Sequence, residues 1–148
     1  MMNFFRKSVW LVLGATMFLG ACGPGAETSG PVFEQAWVRP VPTGMKMTAG
    51  FGTVSNPGKE AIVFNSFSSP SFGEVSLHRT EKLVGVTRMR EVDELRLEPG
   101  DSALLEPGGF HLMLMMPNSE VEAGQTVTIV MTTDDGRSFP FDVPVEGR

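Results

Sequence analysis

From residue 32 onward the chain alternates short apolar or every-other-residue runs with compact groups of turn formers. The runs predict strands at residues 33–39, 47–55, 61–68, 74–80, 86–92, 94–97, 103–105, 110–116, 125–133 and 138–145. Val, Thr and Phe are frequent in them, as a pleated and half-buried surface favours. Between them stand Asn56-Pro57-Gly58, Ser69-Pro70, Pro99-Gly100-Asp101, Pro107-Gly108-Gly109, Pro117-Asn118 and Asp134-Asp135-Gly136. Each supplies a fixed or a positive φ of the kind turns need. No window in this region carries clean helical periodicity. Many short strands at this spacing predict an all-β fold, a sandwich or barrel. Pro140 and Pro144 fall in the last run, so that strand should lie at an edge, where a missing ladder donor is tolerated.

The first residues follow another pattern. Arg6 and Lys7 precede a short uncharged apolar run, which ends Leu19-Gly20-Ala21-Cys22. A basic start, a short apolar stretch and small residues before a break describe an export signal, too short to span comfortably as a mature helix. The last four residues resemble the lipobox of bacterial lipoproteins. The resemblance implies cleavage before Cys22 and a lipid on its sulfur. Residues 23–31 (GPGAETSGP) cannot bury a core and read as a flexible tether. The expected organisation is a lipoprotein signal peptide at 1–21, a tether at 22–31 and one β-domain at 32–148. The product would be a membrane-anchored protein on the periplasmic side of a bacterial membrane.

Composition narrows the function. The 148 residues hold twelve Lys and Arg against seventeen Asp and Glu, a net charge of −5. Removing Arg6 and Lys7 with the signal makes the mature chain more acidic still. An acidic surface argues against nucleic acid, whose phosphates need cations. Cys22 is the only cysteine, so intramolecular disulfides are excluded. A blue-copper electron carrier would need a cysteine ligand, which the β-domain lacks.

The remaining chemistry concentrates in residues 74–116. Both histidines, His78 and His111, lie there, with Met89 and Met113. The spacing is His-x10-Met-x21-His-x-Met. A hairpin of residues 74–92 with its loop at 82–85 would set His78 opposite Met89. His111 and Met113 are two apart on a third strand and share a face. The other face of that strand carries Leu112, Leu114 and Met116 and should meet the core. The four polar or sulfur side chains would then lie on the less buried faces, a surface site. Two thioethers and two imidazoles favour Cu(I) over hard cations, and the absence of carboxylates disfavours calcium or magnesium. Histidine must be neutral to bind, so acid would release the metal. Methionine is also an ordinary core filler, and a lone strand histidine is often simply a surface residue. Composition and spacing leave both readings open.

The same spacing resembles the motif of the periplasmic copper chaperones of the PCuAC family. Flanking segments agree in order: Ala36-Trp37-Val38-Arg39, Gly85-Val86 before Met89-Arg90, Pro107-Gly108-Gly109 before His111, and Gly136 followed by Val143-Pro144-Val145. The resemblance covers residues 32 to 146. It implies a cupredoxin-like Greek-key β-sandwich and one Cu(I) per chain, held by His78, Met89, His111 and Met113. It also implies a copper chaperone acting in cytochrome oxidase assembly. The partner would be the apo copper subunit of cytochrome c oxidase or another copper chaperone. Some members add a His- and Met-rich tail, which Glu146-Gly147-Arg148 does not supply. Two rival readings follow from the same residues: a periplasmic copper sequestration protein conferring tolerance, and a lipoprotein interaction module without metal.

Met45, Met47 and Met115 are candidate auxiliary sulfur donors, with packing as the plainer reading. Trp37 reads as a core aromatic that could also shield the site. Enzymatic activity is not expected. No nucleophile stands beside a positioned base, and both histidines are assigned to the metal.

Overall fold

The computed structural model describes residues 29–148. The expected signal, Cys22 and most of the tether lie outside the described residues. Ten strands follow one another: β1 (Val32–Val38), β2 (Met47–Ser55), β3 (Ile62–Ser68), β4 (Phe72–Leu83), β5 (Val86–Glu91), β6 (Leu95–Leu97), β7 (Ser102–Leu105), β8 (Phe110–Pro117), β9 (Thr126–Thr133) and β10 (Ser138–Pro144). Each apolar run forms its expected strand, with ends shifted by a residue or two. The exceptions are β4, longer at both ends, and the ends that coincide.

The strands form one sheet in the order β1-β2-β7-β8-β4-β3-β9-β10, with β5 added to β4 and β6 to β3. The neighbours β2–β7, β8–β4 and β3–β9 are far apart in sequence, as in Greek-key connections. The sheet curls until its ends meet. Val38 forms a parallel bridge to Val145, and the Glu146 amide donates to the Val38 carbonyl at 2.9 Å. A sheet closed on itself in this way is a barrel-like sandwich with one core. Phe64, Leu77, Leu105, Leu112, Leu114, Ile129 and Met131 fill that core and are fully buried. The proline strand β10 ladders with β9 and ends the strand order, as the missing donors of Pro140 and Pro144 require.

Three local features set up the functional face. In β1 the register slips between Glu34 and Trp37, with Gln35 at φ 50°. This bulge re-aims the strand so that Trp37 stands opposite Phe51. It passes so close to β2 that a Cβ on Gly52 would lie 2.7 Å from Phe33 Cε2 and 2.8 Å from the Ala36 Cα. Only glycine fits there.

The second feature is the β4–β5 turn. Leu83 pairs with Val86, so the loop is only Val84-Gly85, shorter than the expected 82–85 loop. Both residues have positive φ, 47° and 78°, as a tight hairpin turn of the primed type demands. This turn corrects the expected register by two residues. His78 lies opposite Glu91, and Met89 lies opposite Thr80. Beyond Arg79 the hairpin leaves the barrel, and every residue of β5 is exposed.

The third is Met116. Expected on the core face beside Leu112 and Leu114, it is instead exposed, with φ 55°. The positive φ turns the side chain out of the strand's alternation just before β8 ends.

Candidate metal centre

Cross-strand partners share a face, so the registers lay out the outer surface of β2, β8, β4 and β5 as rows. His111 stands beside His78. Met113 stands between Ala49 and Ser76, one row away. Met115 stands between Met47 and Glu74, one row further. On the other side of the histidine row, Met89 faces Thr80 on the hairpin. His78, His111 and Met113 are therefore immediate neighbours on one surface. Met89 is a diagonal neighbour of His78, where Cα separations are roughly 7–8 Å rather than about 5 Å.

The two imidazoles lie with ring centroids 6.0 Å apart and an interplanar angle of 32°. Metal–nitrogen bonds are about 2.0 Å, so rings at this spacing lie close enough to share one ion. Each ring is oriented by a bond from its other nitrogen. His111 Nδ1 donates to the Gly109 carbonyl at 3.1 Å, which leaves Nε2 as the nitrogen with a free lone pair. His78 Nε2 lies 2.9 Å from Ser76 Oγ. With Nε2–H donating there, Nδ1 keeps its lone pair. That Nδ1 is buried and has no hydrogen-bond partner. A buried polar atom left unpaired is costly and asks for an explanation. A metal ion supplies one.

The donor set fits a soft monovalent ion. Among the described residues no three His, Cys, Asp or Glu side chains converge on a common point, so a zinc- or calcium-type cluster of those donors is not assembled there. The donors at hand are two imidazoles and the Met113 thioether, with Met89 on the adjacent hairpin. Such a mixture suits Cu(I).

Burial differs sharply across the face that was expected to be the less buried one. His111 is 5% exposed, and His78 and Met113 are half-buried, while Met89 is 54% exposed. His111 is covered because Phe51 packs beside it, ring centroids 6.5 Å apart, and Trp37 lies against Phe51 at 4.7 Å. Trp37 is thus buried on the outer side of the sheet, one aromatic removed from His111. The guanidinium of Arg39 lies 5.5 Å from the Phe51 ring and that of Arg148 5.3 Å from the Trp37 ring. Both guanidiniums lie over the aromatic layer at cation–π distance.

Ser76, Gly109 and Phe51 are neighbours of the two histidines that the sequence reading did not single out. Ser76 sits two residues before His78 on the same face, and Gly109 two before His111. Their position at i−2 from each histidine was the available signal. Met47 and Met115 are directly opposed on this face, whereas Met45 precedes β2. Met45 lines a separate hollow with Val41, Pro42, Pro117 and Val121.

The fold is that of the PCuAC domains. The copper-bound PCuAC domain from PmoF2 superposes with a TM-score of 0.66 at 18% identity, over 82% of this chain and 96% of that one. The solution structure of apo-DR1885 from Deinococcus radiodurans gives 0.63 at 23%, over 98% and 97%. The chain belongs to the LpqE-like family, described as "Putative lipoprotein LpqE-like", whose model matches residues 32–145. A Leifsonia xyli protein described as "Putative lipoprotein Lxx21020" is 34% identical over 124 residues, 83% of this chain and 74% of that protein. An uncharacterized protein of Rickettsia prowazekii, RP573, is 30% identical over 117 residues, 76% of this chain and 65% of its own length.

Proposed function

We propose that the protein is a lipid-anchored copper chaperone that binds one Cu(I) through His78, His111, Met113 and Met89 and passes it on by ligand exchange. The observation that carries this reading is the buried, unpartnered His78 Nδ1 beside the His111 ring, with a thioether in the next row. The copper-bound PmoF2 domain and Cu(I)-DR1885, which share the fold, support the choice of metal. The family's lipoprotein description supports lipidation at Cys22 and a place on the periplasmic side of the membrane.

Delivery is favoured over storage by the position of Met89. Three donors sit on the barrel wall, but the fourth stands on an exposed hairpin. An incoming acceptor ligand reaches Met89 first, displaces its thioether, and then meets an ion held by three donors instead of four. The acceptor we propose is the apo copper centre of cytochrome c oxidase.

An anaerobic Cu(I) titration against a coloured chelator tests the binding. One tight equivalent per chain, lost in His111→Ala and weakened in Met89→Ala, is the expected result. A protein that never competes with the chelator ends the chaperone reading. Oxidase activity in a deletion strain under low copper tests the delivery. A strain that is only copper-sensitive points to sequestration instead.

A further inference from the structure

The outer face continues beyond the histidines. Met115 follows Met113 on the same side of β8, and Met47 of β2 lies directly across from Met115. Opposed residues in an antiparallel ladder have Cβ atoms about 5 Å apart. Two flexible thioethers at that separation can close on one soft cation. The backbone holds the pair in place, since the Met116 amide donates to the Lys46 carbonyl at 2.8 Å.

Packing does not account for the pair. Core methionines fill gaps between apolar neighbours. Met131 does so here and is fully buried. Met47 is 46% exposed and Met115 half-buried, so both thioethers can be reached from solvent. Ala49, the neighbour of Met113 on β2, puts no bulk between the Met47–Met115 row and the histidines. Glu74, exposed on the other side of Met115, adds a carboxylate that attracts cations without being soft enough to hold Cu(I).

We propose that Met47 and Met115 form a second, all-thioether station for a soft monovalent cation, joined to the first through Met113. The inference rests on reading the histidine face as a Cu(I) site. Thioethers need no deprotonation, so this station accepts the ion without releasing a proton. It would pass the ion along β8 from Met115 to Met113 and His111.

The test is a titration of the mature lipidated protein in detergent with Ag(I), a soft cation that keeps its oxidation state in air. The methionine methyl groups are followed by NMR. Two equivalents are expected, the second moving the Met47 and Met115 methyl signals. The paired replacement Met47→Leu and Met115→Leu, close to volume-conserving, should keep the first equivalent and lose the second. A second equivalent that survives this replacement, or Met47 and Met115 signals that never move, overturns the station. If one equivalent still binds and depends on His111, the chaperone reading stands alone. If wild type takes up no Ag(I), both readings fall together.

Discussion

The barrel wall and the β4–β5 hairpin contribute to the same face under opposite physical regimes. On the wall, His111 is pinned by a hydrogen bond to Gly109, by Phe51 at its side and by the fully buried Leu112 and Leu114 on either side of Met113. On the hairpin, Met89 is held by a single ladder to β4, and no residue of β5 is buried. The first regime fixes a ligand's direction and is insensitive to solvent. The second costs little to distort, because few apolar contacts break when it opens. A carrier that must hold an ion and also release it gains from having both.

The contrast can be broken most forcefully in the wall. Leu112→Ala should destabilise the protein by about 2–5 kcal/mol, the range for emptying a packed leucine site. Met89→Ala should change stability by no more than ~0.5 kcal/mol, as exposed sites do. Thermal melts of the two variants check both, and similar melting shifts would erase the distinction.

Metal affinity sharpens it next. Losing a ring proposed to hold the ion directly should cost more than the roughly 10–100-fold typical of removing a ligand's supporting hydrogen bond. Chelator competition should therefore rank His111→Ala as the most damaged. Ser76→Ala should fall within the 10–100-fold range, because Ser76 only orients His78. If Ser76→Ala binds like wild type, the tautomer assigned to His78 is wrong.

The most local effect belongs to the hairpin turn. Val84 has φ 47°, a left-handed conformation that a β-branched residue rarely adopts. Asparagine tolerates it and forms the favoured Asn-Gly turn. Val84→Asn should stabilise the hairpin by about 1 kcal/mol, the low end of the cost of holding a non-glycine residue in that region, with slower amide exchange in β4 beyond Arg79 and in β5. Exchange rates in the barrel core should not change.

Much of this arrangement was legible before any coordinates. Turn chemistry and period-two runs marked all ten strands, and the alternation of β8 separated His111 and Met113 from Leu112 and Leu114. The hairpin register was not legible. A two-residue Val84-Gly85 turn lacks the usual asparagine, and shifting the loop moved His78 from Met89 to Glu91 while keeping every side chain on its expected face. Periodicity detects a slip of one residue but is blind to a slip of two.

What the chain determined alone was the set of strands, the faces they bury and the kinds of donor available. These follow from local propensity and burial, which act over a few residues. The pairing of His78 with His111, the aromatic cover of Phe51 and Trp37, and the meeting of Met47 with Met115 belong to the tertiary structure. They join β8 to β2 and β4, strands far apart in sequence, and β1 to β2 across a bulge, and only the strand order of the folded sheet brings them side by side. Which strands become neighbours is decided by burying the whole core at once, and no local run of residues carries that information.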